Sequence, residues 1–262
     1  MKDKSPAGVP NRLNAAIIVS RLTTSTKLAQ LHERVLTLTA DESPAVAIWA
    51  IKGAGAVLPG YLNLPALRVS QGQKTIDAIV AAAKKHVAVG ALVQTAYDQL
   101  DLADAKLPAD ALLMAVDGVN SILAARVSLY VAGHPHFPQA DRVPLVFFVK
   151  REVLTAIGSN KAKQLAIVQN LVNLLGVSVQ RLNGLPEGDA GVQFVNLMSS
   201  TAGALGVWFR SQTQPAVEAK FKVLVGLRQP TPEKAAKPLE EAMAAVKALP
   251  DYKALTDAPT IK

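Results

Sequence analysis

The chain contains no cysteine among its 262 residues. Disulfides, thiolate zinc sites, cysteine nucleophiles and cysteine-ligated iron–sulfur clusters are therefore excluded. Aromatic residues are also scarce, with 2 Trp, 4 Tyr and 6 Phe, whereas alanine occurs 43 times. Strands favour aromatic and β-branched side chains and alanine favours helices, so this balance predicts an all-α fold.

No catalytic arrangement can be assembled from the sequence. The GxSxG, HExxH, GxxxxGK[ST] and GxGxxG motifs are absent. Gly53 and Gly55 form an incomplete version of the last motif inside a predicted helix, where they are better explained as points of close helix contact. The paired Glu240 and Glu241 are typical of a solvated helix face. The favoured interpretation is a protein without enzymatic activity and without a cofactor.

Apolar residues recur at helical spacing along the whole chain. Steps of three or four residues join Ile76, Ile79 and Ala83, for example, and a longer series runs from Leu112 to Tyr130. This spacing predicts about eleven helices that pack as antiparallel neighbours. Their expected ranges are 11–22, 26–40, 44–57, 72–86, 88–100, 108–132, 143–157, 161–182, 190–211, 215–227 and 232–248.

Residues with a side-chain oxygen precede several of these helices. Ser43, Asn160, Asp189 and Thr231 stand where an N-cap acceptor is expected. Proline follows Ser43 and Thr231 at the first helical position, which favours a helix start. The uncharged run 143–149 is also compatible with a buried strand, but Pro144 favours a helix start there and no second strand is available to pair with it.

Short connections between amphipathic helices are typical of bundles and of stacked helical arrays. A turn at Asp41, followed by Val46, Ala50 and Ala54 on one face, resembles the second helix of a HEAT or armadillo repeat. That family usually carries an arginine after the valine, where Ala47 stands here. The resemblance covers about the first 100 residues and implies an interaction scaffold without chemistry of its own. A HEAT-like solenoid and an irregular bundle both remain open.

No segment is long or polar enough to divide the chain. The longest stretches expected outside helices, 60–73 and 133–142, are short enough to be loops within one domain. We predict a flexible arm over residues 1–10, a single helical domain over 11–249 and a frayed tail over 250–262.

The longest uncharged run covers residues 190–209 and is long enough to cross a bilayer. Its glycines and polar side chains, among them Gln193 and Asn196, favour instead a helix buried among other helices, and no transmembrane segment is expected. No apolar leader follows the charged N-terminus, which predicts a cytoplasmic protein or one exported after removal of a leader.

The net charge of +8 is unevenly distributed along the chain. Six basic residues and one acidic residue lie between Arg142 and Arg181, whereas five aspartates and one lysine lie between Asp98 and Asp117. This pattern predicts association with a protein partner or a second copy, with an anionic membrane surface as an alternative partner. Nucleic acid is disfavoured because no aromatic residues are interleaved with the basic ones. The expected partner-binding residues are Arg142, Lys150, Arg151, Lys161 and Lys163.

His134, His136 and Asp141 have the composition of a metal site. Two imidazoles and a carboxylate suffice to bind zinc or another divalent ion, and the alternative is a solvated loop whose histidines cap helix ends. The isolated His32 and His86 are interpreted as helix-surface residues. A helical small-molecule or metal-binding carrier, or an enzyme, with a pocket near this loop is therefore the alternative to an interaction protein.

Trp49, Trp208 and Phe209 allow two interpretations. They line a small-molecule pocket between helices, where bundles often hold ligands, or they fill space among small alanines in the core. Helical spacing among alanines favours the core.

Overall fold

The computed structural model describes residues 8–26, 29–133, 137–182 and 189–261, which form no strand and twelve α-helices of at least seven residues. The predicted all-α class is confirmed. The helices are α1 (Val9–Thr26), α2 (His32–Thr39), α3 (Pro44–Asn63), α4 (Gln73–Lys85), α5 (Gly90–Leu100), α6 (Ala109–Val131), α7 (Arg142–Phe148), α8 (Arg151–Ile157), α9 (Lys161–Gln180), α10 (Asp189–Ser211), α11 (Pro215–Val225) and α12 (Pro232–Lys247).

Helix α3 is longer than predicted. The spacing indicated an end near residue 57 and a loop from residue 60, but the helix continues through Pro59 to residue 63. Leu58 and Leu62 are fully buried, and this burial offsets the backbone hydrogen bond that Pro59 is unable to donate. A helical turn at Pro65–Leu67 and a π-helical turn at Arg68–Gly72 then lead into α4.

The single helix predicted over residues 143–157 is divided into α7 and α8. In one continuous helix, Glu152 would extend the face of Leu145 and Phe148, and Val153 would point away from it. The chain instead becomes extended at residue 150. Because of this break, Leu145, Phe148 and Val153 are all buried while Glu152 is exposed.

Two of the four predicted caps are present, and Asp189 is itself the first residue of α10. Asn160 and Thr231 each accept a hydrogen bond from the backbone N–H three residues later, at 3.1 and 3.3 Å. Ser43 precedes α3, but its side chain makes no cap hydrogen bond. Its backbone N–H instead donates to Oδ1 of Asp41 at 2.8 Å, so the aspartate two residues earlier stabilises this turn.

The contacts divide the chain into two compact units, Met1–Ile122 and Leu123–Lys262, and the boundary falls inside α6. The single domain expected over residues 11–249 stays a prediction. Val9 and Pro10, predicted to belong to a flexible arm over residues 1–10, are instead the first residues of α1; residues 1–7 lie outside the described part of the chain.

In the first unit, α3 contacts α1, α2 and α5. A Cβ atom added at Gly53 would lie 3.0 Å from Cα of Ser20 on α1, and one added at Gly55 would lie 2.1 Å from Oε1 of Gln99 on α5. The prediction that these glycines allow close helix contact is confirmed. Val46, Ala50 and Ala54 are buried, although the likeness to HEAT repeats stays a prediction.

In the second unit, α10 contacts α7, α9 and α11, while α12 contacts α9 and α11. The predicted burial of the uncharged run is confirmed, because Leu197 and Leu205 of α10 are fully buried. Two other helices, Pro44–Asn63 and Ala109–Val131, have the length and composition of membrane spans, and 61% and 50% of their respective apolar windows are buried.

Candidate functional site

The predicted partner-binding residues fall into two groups. The first, on α7, α8 and their connection, comprises Arg142, Lys150 and Arg151. The second lies in the first turn of α9 and comprises Lys161 and Lys163. Arg142 and Arg151 are exposed, whereas Lys161 forms an ion pair with Asp251 of the same unit. Arg142 and Arg151 are therefore the exposed basic residues of the first group.

An apolar residue stands beside the first basic group. Val146 on α7 is 60% exposed. It shares with Arg142, Ala204 and Val207 a shallow depression of about 180 Å³ between α7 and α10. Basic residues next to an exposed apolar side chain are typical of interaction surfaces.

The acidic segment 98–117 is partly neutralised within the first unit. Arg68 forms an ion pair with Asp110. The pKa of Asp98 is raised, because burial disfavours its charged form and the neighbouring Asp101 adds repulsion. At least one of the five aspartates is therefore already paired within the first unit.

The proposed metal site is only partly visible. His134 and His136 lie outside the described residues. The third candidate, Asp141, is fully buried. No group of three or more His, Asp or Glu side chains suited to a metal occurs among the residues that the structure describes. The metal site thus stays a prediction.

Asp141 belongs to a buried polar cluster with Arg126 and Tyr130, and all three side chains are inaccessible to solvent. Nε and Nη2 of Arg126 donate to the Asp141 carboxylate at 3.0 and 2.8 Å, and Nη2 also donates to the Tyr130 hydroxyl at 2.7 Å. The Tyr130 hydroxyl donates to Asp141. Burial, reinforced by the adjacent carboxylate, raises the pKa of Tyr130 far above its usual value. The arrangement is a closed structural ion pair without access for a substrate.

This cluster was not recognised from the sequence, although one signal for it exists. Arg126 is the only charged residue between Asp117 and Asp141. A single charge within a long apolar helix requires a partner once the helix is buried. That rule predicts a buried carboxylate but leaves open which one.

The surface positions predicted for His32 and His86 are wrong. His32 is 2% exposed and forms a 2.8 Å hydrogen bond through Nε2 with the hydroxyl of Thr75. Burial lowers the pKa of His32. His86 is 9% exposed, and its Nε2 donates to the carbonyl oxygen of Asp41 at 3.0 Å. A hydrogen-bond partner supplied by another element allows each ring to leave water.

The tryptophans have different environments. Trp208 and Phe209 are fully buried in the second unit, which fits the core interpretation for both. Trp208 also borders a depression of about 400 Å³ together with Leu154 and Gln212. Nε1 of Trp208 donates to the Tyr252 hydroxyl at 3.2 Å. Trp49 is partly exposed in the first unit, where Nζ of Lys52 lies 4.8 Å from its ring centroid.

An apolar groove of about 540 Å³ lies between α9 and α12. Its apolar lining includes Val172, Val179, Leu239 and Met243. Its polar lining consists of Gln180, Glu240, Lys247 and Asp257. No motif in the sequence marked this groove, because its two walls are distant along the chain.

Asp257 and Ala258 line one side of the groove and belong to residues 253–261, here called the strap. The side-chain amide of Gln169 donates to the carbonyl oxygen of Thr256 at 3.2 Å and accepts from the backbone N–H of the same residue at 2.8 Å. Gln180 donates to the carbonyl oxygen of Pro259 at 3.0 Å and accepts from the backbone N–H of Ile261 at 2.9 Å. The frayed tail predicted from residue 250 onward is therefore wrong.

Between the two glutamines, the strap lies directly on α9. A Cβ atom added at Gly176 would lie 2.2 Å from Cβ of Ala258. The missing side chain thus makes room for the strap. Tyr252, directly before the strap, and Leu255, within it, are 1% and 5% exposed. Both apolar burial and backbone hydrogen bonds hold the strap in place.

Searches of protein-family models, curated proteins and solved structures found no match to this chain.

Proposed function

We propose that this chain is a non-enzymatic helical binding protein that holds an apolar small molecule in the groove between α9 and α12. The observation that supports this most directly is the apolar volume of about 540 Å³, walled on one side by the strap. Small-molecule pockets typically have about 300–1,000 Å³ and an apolar lining with few polar groups. This is the carrier interpretation, with the pocket at α9 and α12 instead of near His134 and His136.

The lining of the groove supports binding without catalysis. It includes no histidine, serine, threonine or tyrosine, so catalytic pairs built on a hydroxyl or an imidazole are absent from this lining. Three of its polar groups are already engaged, since Gln180 holds the strap and Lys247 pairs with Asp257. The groove therefore provides shape and apolar contact.

We expect Ala236→Trp to abolish binding of an apolar probe, because the indole would occupy the groove that Ala236 lines. The measurement is the fluorescence of N-phenyl-1-naphthylamine titrated with protein, followed by its displacement with decan-1-ol. Wild-type protein should give saturable binding. Ala236→Trp should weaken the affinity at least about tenfold, which corresponds to a loss of roughly 1.4 kcal/mol of binding free energy.

Ala219→Trp is the matched control. Ala219 is exposed and is the fifth residue of α11, as Ala236 is exposed and is the fifth residue of α12, but Ala219 does not line the groove. Its replacement should leave probe binding unchanged. Absence of saturable binding by the wild-type protein, or equal binding by both variants, would show that the groove is not a ligand site.

A second candidate function is self-association through the basic group on α7 and α8. It is favoured by the exposed Val146 beside Arg142 and by the opposite charge of segment 98–117, which a second copy would present. Nucleic acid is not proposed as a partner.

Association of this kind should weaken as salt rises, because charges on exposed surfaces are screened beyond about 8 Å at physiological ionic strength. Light scattering from low to high salt measures it. Replacing Lys150, Arg151, Lys161 and Lys163 with Glu should abolish association. A control variant with the same change of net charge replaces four exposed residues elsewhere with Glu, namely Arg228, Lys234, Lys237 and Lys253. A monomer at every salt concentration would contradict this second function.

A further inference from the structure

We infer that a second small-molecule site, separate from the groove, lies between α8, the start of α9 and the end of α10, and that it takes an N-acylated amino acid. The site is the depression of about 400 Å³ beside Trp208, here called the α8 pocket. Its ligand combines a carboxylate for Arg151, an N–H donor for Gln164 and an apolar side chain. Each of these groups follows from one feature of the lining.

Gln164 brings an unsatisfied hydrogen-bond acceptor to the α8 pocket. Gln164 is 8% exposed, and its Nε2 donates to the carbonyl oxygen of Gly158 at 2.6 Å. Because a carbonyl oxygen only accepts, this bond fixes which end of the amide is the oxygen. That oxygen, Oε1, is buried and has no hydrogen-bond partner among the described residues. Buried acceptors are nearly always paired in native proteins, so Gln164 favours a ligand that donates an N–H.

Access to this oxygen requires only a local change. Oε1 of Gln164 is covered, whereas Leu154 and Gln212, which border the same pocket, are partly exposed. A ligand therefore reaches Oε1 by a side-chain rotation, a change that is common when small binding surfaces are occupied.

The charge of the α8 pocket comes from Arg151. It is the only charged residue in the described lining. Arg151 is exposed, and its side chain has no ion pair or hydrogen bond within the part of the chain that the structure describes. Glu152, the next residue, does not line the pocket. An anionic ligand thus meets an unpaired guanidinium without a competing carboxylate, whereas a cationic ligand meets a like charge.

The end of α10 offers no competing site for a cation at this pocket. Free carbonyl oxygens at the end of a helix attract positive charge. Here the carbonyl oxygen of Trp208 accepts from the Ser211 hydroxyl at 2.7 Å, and those of Phe209 and Arg210 accept from backbone N–H groups of the next turn. Three of the last four carbonyl groups of α10 are therefore satisfied by the chain itself.

Apolar side chains complete the lining of the α8 pocket, namely Val149, Leu154, Ile157 and Trp208. The volume lies in the usual range of about 300–1,000 Å³ for small-molecule sites. In an N-acylated amino acid, the carboxylate, the amide N–H and the side chain all branch from one carbon atom. A single small ligand can therefore pair with Arg151 and Gln164 and place an aliphatic group on the apolar lining.

The test measures binding of N-acetyl-L-leucine to the full chain by calorimetry. The neutral methyl ester of this ligand should bind about two- to fivefold more weakly, the range expected for an exposed ion pair. N-acetyl-N-methyl-L-leucine, which lacks the N–H donor, should bind about fivefold more weakly. Absence of binding by N-acetyl-L-leucine, equal affinity for all three ligands, or tighter binding of the cation L-leucinamide would overturn the inference.

The arginine is tested by a matched pair of variants. Arg151→Gln should weaken binding of N-acetyl-L-leucine about two- to fivefold and leave the methyl ester unchanged. Arg142→Gln is the control, because Arg142 is also exposed and also the first residue of a seven-residue helix, but does not line the α8 pocket. It should change neither affinity. Equal effects of the two variants would contradict the assigned role of Arg151.

Two further variants locate the ligand. Gln164→Met should remove the preference for N–H over N–CH₃, and a preference that survives it would overturn the inference; if this variant does not fold, the comparison of ligands on the wild-type protein still decides. In the Trp49→Phe background, N-acetyl-L-leucine should change the emission of Trp208, which borders the pocket. Ala236→Trp, which fills the groove, should leave this binding unchanged, so the inference and the proposed function fail separately.

Discussion

Replacing Asp141 with alanine is expected to destabilise the second unit by about 3–5 kcal/mol, the loss typical of removing one partner of a buried ion pair. Arg126 would keep its hydrogen bonds to the Tyr130 hydroxyl and to the carbonyl oxygen of Phe137. Its positive charge would nevertheless remain buried without a compensating anion. The free energy of unfolding in urea, followed by circular dichroism, measures the effect.

Asp251→Ala is the control for this experiment. Asp251 pairs with Lys161, and both side chains are about half exposed, so its loss should cost at most about 1 kcal/mol. A triple variant, Arg126→Met with Tyr130→Phe and Asp141→Leu, should recover most of the stability because no buried polar group is left unpaired. If Asp141→Ala costs no more than Asp251→Ala, the buried pair does not have the assigned role.

Trp208→Ala is expected to destabilise the protein by about 3–5 kcal/mol, as large-to-small replacements of buried aromatic residues do. Trp208 is fully buried, and the variant also removes the hydrogen bond from its Nε1 to the Tyr252 hydroxyl. Tyr252 directly precedes the strap. Susceptibility of the strap to a protease should therefore rise in this variant at temperatures below the unfolding transition.

Trp49→Ala makes the same chemical change at a partly exposed position. Its expected cost is roughly half as large, because the cost scales with the apolar area removed from water and the contact with Lys52 contributes only about 0.5–1 kcal/mol. Urea unfolding of both variants gives the comparison. Equal losses at the two tryptophans would contradict the assignment of Trp208 to the core and Trp49 to a partly exposed helix face.

The sequence alone did not distinguish the environments of Trp49 and Trp208. Their local patterns both fitted an apolar helix position. Only packing between helices distinguished them, because exposure depends on which neighbouring elements cover a face. The same limit applies to His32, whose hydrogen-bond partner Thr75 lies 43 residues away along the chain.

Local chemistry determined the helices themselves. The apolar spacing within each segment placed α9, α10 and α12 to within about three residues. The caps at Asn160 and Thr231 were readable because each bond spans only three residues. The lack of cysteine and the abundance of alanine also limited the possible fold classes. Both are properties of the composition and do not depend on which residues come into contact.

The groove and its strap were decided only by the tertiary structure. Gln169 and Thr256 are 87 residues apart in sequence, yet they form two hydrogen bonds. Residues 251–261 have no helical periodicity, so their order comes from partners on another element. The local sequence of such a segment does not show which groups will form hydrogen bonds with its backbone, because any donor or acceptor of suitable geometry can do so. The helices therefore followed from the sequence by itself, whereas the groove followed from which of them came to lie side by side.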